Sequence, residues 1–551
     1  MTRSLILLLL ALLTQAVLAS DMTSDEVSRV LAQAISRARQ IEPKAVIAVV
    51  DREGFVLGVW SVAKPPKAID EMATAQFNVA VLDAITKAGT AAFLSSDQNA
   101  FTSRTAGFIV QQHFPPGVQN RPNGPLVGVN FSNLSFSKVN RFKNPNSGYV
   151  ADLTSGDNGD PIAGRPFEAV SGLAGSPGGV PLYRDGKLIG GVGVAGQTIA
   201  PKVNPFSILA DIQVKSQRYD PDEDVALAGQ TGFQPKAAIF GSDVFIDGIR
   251  VPYVAGGTRL GNVQVLGSIG KNVKPYVIVD SPKVEYSTDD FGGQECEIRA
   301  PIIADPDRGG PVSGEINGQP RLSAEDVTKI LSQASARAKI TRAGIRLPRG
   351  QPSQNFITVV NVPALPKKAP VILGTIRTRD ATVFSWDVSA QKACTAVFFS
   401  NDTRAFSTRT VGFLSQQFYP PGIANTAPGP FYSLQERYSL LPHRAQSPFT
   451  LMKGNVVNPL NGVMLARKDD LAKADPYLPN GITIFPGGFP LYRNGVMIGA
   501  IGVSGDGIDQ DDIIAAAGTV GFDAPAAIRA DRQQYKGARL PYAKFPRNPD
   551  L

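Results

Sequence analysis

Two short stretches of this chain set a guanidinium among hydroxyls: Thr102-Ser103-Arg104-Thr105 and Ser407-Thr408-Arg409-Thr410. An arginine in such company suits a carboxylate or phosphate, whose oxygens its planar fork can grip in pairs. The competing role for Arg104 and Arg409 is a clamp on backbone carbonyls or on an internal acid, such as Asp97 or Asp402. Upstream, Lys87, Thr90 and Phe93 fall at helical spacing and recur as Lys392, Thr395 and Phe398, so each trio lies on adjacent faces of a turn or two. Such a set could neutralise an acid, hydrogen-bond a ligand and stack on a flat ring. It could equally pack its small residues and Phe on a sheet while the lysine snorkels to water. The amides of Gly178 and Gly179 could cradle an anion, though Gly-Gly alone is too common a pattern to carry that role.

Several chemistries are excluded. The chain has no Gly-x-Ser-x-Gly elbow, Walker loop, His-Glu-x-x-His or Cys-His pairing, so no catalytic constellation is present and an enzyme is the less favoured class. Two cysteines, Cys296 and Cys394, rule out a Cys-rich zinc module or an iron–sulfur cluster. They either form one disulfide or remain two buried thiols, since pairing needs geometry that spacing does not show. Neither stands in Cys-x-x-Cys-His, so any haem would be non-covalent. The formal charge of +8 is not gathered into Lys/Arg blocks, which argues against nucleic acid and leaves room for small anionic ligands. Asp509, Asp511 and Asp512 read best as the polar start of a last helix, favoured by its dipole.

The elements that must position these residues come in two sets. Thr23 to Ala34 is echoed by Ser323 to Ala334, each a hydroxyl followed three residues later by an acid (Glu26, Asp326) and then by apolar residues at helical spacing. Lys87 to Phe108 matches Lys392 to Phe413, a helix pair that ends at Pro115-Pro116-Gly117 and Pro420-Pro421-Gly422. Pro177 to Gly196 matches Pro486 to Gly505, hairpins turning at Asp185-Gly186 and Asn494-Gly495. Glycines at 190, 193 and 196 suggest a strand closely approached by backbone or by a ligand. Ala228-Gly-Gln-Thr-Gly-Phe and Gly248-Ile-Arg-Val-Pro-Tyr return as Ala517-Gly-Thr-Val-Gly-Phe and Gly537-Ala-Arg-Leu-Pro-Tyr. The expected organisation is a first domain over 20–256, a strand-prone connector over 257–320 and a second domain over 321–551. Ahead of them, Arg3, the apolar run Leu5 to Leu13 and Val17-Leu18-Ala19 form a signal peptide over 1–19. The run is too short for a membrane anchor, which places the mature chain in the periplasm or outside the cell after cleavage near Ala19.

In this order, Val49-Val50-Asp51-Arg52-Glu53-Gly54, Lys87 to Phe93, Pro177 to Leu182, and Gly499 to Gly505 ahead of the acids at 509, 511 and 512 resemble the GlcG/HbpS-like haem-binding family. The match covers about half of each copy, the excess falling between Pro-Pro-Gly and Pro-Gly-Gly. It implies an α+β fold of two tandem layered domains, each a five-stranded antiparallel sheet flanked by helices. It further implies members that bind haem or corrinoid and are frequently homo-oligomeric. Two departures put one of the pockets in doubt: Asn361-Val362-Pro363 replaces Asp-x-x-Gly, and Val194-Ala195-Gly196 replaces Val-Ser-Gly.

For a haem, Lys87 would meet a propionate and Phe93 the macrocycle, while Arg104, Thr105 and Arg409 would serve its carboxylates. His113 is the chemically natural iron donor, yet Phe418 occupies its place in the second copy and a packed aromatic cluster is the plainer role. His443 sits between polar residues in the long insert. Tyr183 and Tyr492 would ligate as phenolates if Arg184 or Arg493 lowered their pKa, or else form cross-strand aromatic pairs. The expected function is an exported tetrapyrrole binder for capture, storage or sensing, with its pocket mainly in the first lobe. The alternatives are an enzyme or accessory subunit acting on a small organic acid, and an assembly factor with no ligand.

Overall fold

The computed structural model describes residues 21–67, 71–111, 172–196, 218–274, 276–307, 314–348, 350–364, 368–432, 434–435, 451–452, 455–457, 464–467 and 481–544, with scattered positions between 113 and 143. The expected leader over 1–19 and His443 lie outside these residues.

The first lobe opens with α1 (Ser24–Ile41), whose Thr23 side chain accepts from the Glu26 amide while Glu26 accepts from the Thr23 amide. That reciprocal cap fixes where the helix begins. Its apolar face, Val27, Val30, Leu31, Ala34, Ile35 and Ala38, is fully buried. Next come β1 (Val46–Asp51), β2 (Val56–Ser61), α2 (Glu71–Phe93), α3 (Ser103–Ile109), β3 (Gly179–Arg184), β4 (Lys187–Ala195) and α4 (Pro221–Gly229). The connector supplies β5 (Lys271–Asn272) to this lobe, and β6 (Thr288–Asp290) and β7 (Glu295–Ala300) to the next. The second lobe repeats the plan with α5 (Ala324–Ile340), β8 (Asn355–Asn361), β9 (Ile372–Thr378), α6 (Phe384–Phe399), α7 (Thr408–Leu414), β10 (Gly488–Arg493), β11 (Val496–Gly505) and α8 (Ile508–Gly518).

Both principal sheets are antiparallel, ordered β3-β4-β1-β2-β5 and β10-β11-β8-β9-β7-β6. The fold is α+β, with helices layered on the sheets. The second sheet has six strands rather than five because the connector adds two at its edge. Asp185 and Gly186, like Asn494 and Gly495, all take positive φ, as tight hairpin turns require. The glycine-rich strand is approached by backbone: a Cβ on Gly193 would stand 2.1 Å from the Ala84 carbonyl oxygen of α2, and one on Gly502 2.0 Å from that of Ser389 in α6. Small residues there let the helix lie directly on the sheet.

The lobes share polar and apolar contacts. Arg52 bridges Asp97 and Asp380, the latter at 3.0 Å, and Arg299 grips Glu53 through two bonds of 2.8 and 3.0 Å. Arg346 reaches back to Ser96 and Asn99. Val383, Phe384, Val388 and Phe485 of the second lobe join a core with Leu126 and Val129 of the first. Cys296 and Cys394 are separate buried thiols. Among the described residues no helix is long and apolar enough to cross a membrane.

Candidate functional site

Each lobe is organised around two adjacent acids at the start of its last helix. In the first, Asp220 caps α4 and Pro221 occupies its first turn, which leaves Asp222 and Glu223 near the positive end of the helix dipole. Lys87 Nζ lies 2.9 Å from Asp222, 3.0 Å from Asp83 and 3.0 Å from the Val194 carbonyl oxygen. Arg104 makes a two-pronged pair with Glu223 at 2.8 and 3.0 Å. In the second lobe Lys392 meets Asp511 and the Val503 carbonyl, both at 2.7 Å, and Arg409 meets Asp512 at 2.9 Å and Asp509 at 2.6 Å.

The two lysines differ in the acids around them. Val388 stands where the first lobe has Asp83. Burial pulls the Lys87 ammonium toward neutrality, but Asp222 and Asp83 outweigh it and hold its pKa above the ordinary range. Burial prevails at Lys392, whose pKa is lowered, and it pushes its partner Asp511 up to about 6. A buried ion pair with one acid recovers less of its desolvation cost than one with two.

This geometry corrects several expected roles. Lys87 neither snorkels nor faces open space; it is buried and bound to acids. The acids that answer Arg104 and Arg409 are Glu223 and Asp512 with Asp509, not Asp97 or Asp402. Asp97 instead binds Arg52 and Lys187, and Asp402 accepts from the Met497 amide. Thr90 donates to the Thr86 carbonyl and accepts from the Ala174 amide. Phe93 packs over Gly54. The Gly179 amide donates to Ser103 Oγ at 2.8 Å, and a Cβ on Gly178 would stand 2.8 Å from the Val194 carbonyl oxygen, so that pair closes on protein. The Tyr183 hydroxyl donates to the Ser96 and Asn99 carbonyls, and Tyr492 to those of Asn401 and Arg404. Burial raises both phenol pKa values. Arg184 and Arg493 do not offset it, being tied to Glu26 and Asp326. His113 Nδ1 lies 3.3 Å from the Arg121 carbonyl oxygen.

What the arginine segments do hold is the wall of a cleft. Thr102 Oγ1 donates to the Tyr253 carbonyl at 2.5 Å, Thr105 Oγ1 to the Pro252 carbonyl at 2.7 Å, and the Ala255 amide donates to Glu223 at 2.8 Å. These bonds fix segment 252–255 along a cleft of about 960 Å³, at the upper end of the range of roughly 300–1,000 Å³ for small-molecule sites. Its apolar surface comes from Phe108, Leu227, Phe240, Val251, Tyr253 and Val254. Phe240 lies 4.7 Å from Tyr253, ring centre to ring centre. Gln230, Thr231, Gln234 and Ser242 add polar groups; among the described lining residues Arg250 is the one cation and no Asp, Glu, His, Cys or Met is present. Arg250 is largely exposed, with Asp243 3.5 Å away. In the second lobe Arg529 stands in the place of Phe240, its guanidinium 5.4 Å from the Tyr542 ring centre and paired with Asp531 at 2.8 Å. Among the lining residues, Phe108, Gln230, Thr231 and the run 250–253 belong to matched blocks but Phe240 does not, and a Phe-to-Arg difference between the copies at 240 and 529 was the available signal.

Residues 364–519 match the family described as haem degrading protein HbpS-like. No curated protein matches the chain. Similar solved structures include a PduOC–haem complex, 20% identical with a TM-score of 0.22, covering 37% of this chain and 97% of that one. The Klebsiella pneumoniae protein ORFY is 18% identical with a TM-score of 0.22, covering 38% and 99%. A double mutant of Streptomyces reticuli HbpS is 19% identical with a TM-score of 0.20, covering 41% and 97%.

Proposed function

From the premise that this chain carries an HbpS-like domain over residues 364–519, we propose that it is an exported binder of haem or a related tetrapyrrole, serving capture, storage or sensing. The ligand occupies the first-lobe cleft. The observation that carries this assignment is the cleft itself, aromatic and aliphatic, free of acids among its described lining residues, with Arg250 at hand for a carboxylate. A flat apolar body meets Phe240, Tyr253 and Val254, and burial of that surface supplies most of the affinity. Arg104 and Thr105 act from behind, through Glu223 and the Pro252 carbonyl, to keep the wall in place. The chain is the product of a tandem duplication in which the second lobe has lost the equivalent cleft surface at Arg529. Its residues 1–19 are removed on export.

Titration of the purified protein with haemin, followed by the Soret band, tests the assignment. Saturation at micromolar concentration and one ligand per chain is expected, with Phe240→Arg weakening binding by about tenfold or more, the equivalent of ~1.4 kcal/mol. No spectral change at micromolar haemin refutes it.

A further inference from the structure

A haem offers a protein two handles, the macrocycle with its carboxylates and the iron. The first-lobe cleft answers only the first. Its described lining residues contain no histidine, cysteine or methionine, the side chains that most often bind haem iron along its axis. Tyr253 contributes the one phenol, but its oxygen accepts from Gln230 Nε2 at 3.4 Å and its ring leans on Phe240 at 35°. That oxygen is already engaged by the amide of Gln230, itself a lining residue. His113 is not among the lining residues, and its Nδ1 faces the Arg121 carbonyl. The cleft, which lies outside the family-matched residues 364–519, therefore offers a fit for the organic ring and, among its described lining residues, none for the metal.

We infer that the cleft selects its ligand as a planar, anionic macrocycle without regard to the metal at its centre, so that a metal-free porphyrin is bound as well as haem. This rests on the assignment of the cleft as the tetrapyrrole site. Affinity comes from buried ring surface, from offset contact with Phe240 and Tyr253, and from Arg250, whose single neighbouring acid at 3.5 Å leaves it available to a carboxylate. Because none of the described lining residues supplies a bond to iron, removing the iron subtracts nothing from these contacts. A protein built in this way would hand the same pocket to a tetrapyrrole before metal insertion and after metal removal.

The test is a pair of titrations of the full mature chain, with haemin by absorbance and with protoporphyrin IX by fluorescence, followed by competition between them. Dissociation constants within about fivefold of one another, mutual displacement at one ligand per chain, and a parallel loss for both in Arg250→Gln are expected. Haemin binding more than about fivefold tighter than protoporphyrin IX, or simultaneous binding of the two, overturns the inference while leaving tetrapyrrole binding intact. Binding of neither removes the underlying assignment as well.

Discussion

Arg104→Ala should destabilise the first lobe by about 3 kcal/mol, the low end of the ~3–5 kcal/mol typical when one member of a buried ion pair is removed. The side chains of Arg104 and Glu223 are 1% and 3% exposed, so water cannot replace the lost partner. Glu223 does keep the Ala255 amide at 2.8 Å, and this moderates the loss. The matched change Arg409→Ala should cost only ~1–2 kcal/mol, since Arg409 is 19% exposed and Asp509 and Asp512 both retain bonds from Lys544. Arg104→Met with Glu223→Gln should recover about 2 kcal/mol of the single-variant loss, because a neutral amide still accepts from Ala255 and no bare charge remains. The chain's two tryptophans, Trp60 and Trp386, fall one in each lobe. Urea unfolding followed by fluorescence in a Trp386→Phe background therefore reports on the first lobe. A two-domain chain needs such a local probe, as a single global transition is not assured. A loss below about 1 kcal/mol for Arg104→Ala, or a double variant no better than the single, would refute the claim that this pair braces the cleft wall.

Gly193→Ala should lower stability by ~2–3 kcal/mol in thermal melts, since its Cβ would meet the Ala84 carbonyl and Ala88 amide. Gly191→Ala should cost less, Ala500 already standing at the matching place. Glu53, though buried, is held down to about 2, chiefly by Arg299 and then Arg377 and Arg52. A depressed carboxyl pKa means its stabilisation is present above its unfolded value near 4.5 and fades as pH falls toward 2. Acid unfolding should thus loosen the lobes from one another, and Glu53→Gln should flatten the change in stability over that window when followed by circular dichroism. Asp83→Ala should lower the Lys87 pKa toward the behaviour of Lys392. As a raised lysine pKa stabilises below its unfolded value and is lost at higher pH, alkaline unfolding should begin at lower pH, and NMR titration of the lysine side chains checks the shift directly.

How much was legible in the chain depends on how local each feature is. The opening helices, their reciprocal caps and the Asp-Gly and Asn-Gly hairpins follow from residues within a turn of one another, and the sequence alone determined them. It also determined that the two halves would share a layered plan, because the matched blocks carry helix and strand periods in the same order. The partners of those blocks were another matter. Arg104 stands 119 positions from Glu223, and Lys87 stands 135 from Asp222; nothing in the spacing singles out those acids over Asp97. Only the packing of α4 against the sheet brings them to the lysine and arginine and turns apparent ligand-binding side chains into braces. The glycines at 190 and 193 left backbone and ligand equally able to approach until β1 was seen against the first and α2 against the second. The cleft was least legible of all. It is lined by residues from α3, α4 with the turn that follows it, and the 240–260 segment; some of them stand in matched blocks, but nothing in their spacing shows that they face one space, since a concave surface is made by distant pieces of chain. Apolar residues that face such space look, in sequence, like those that face a core.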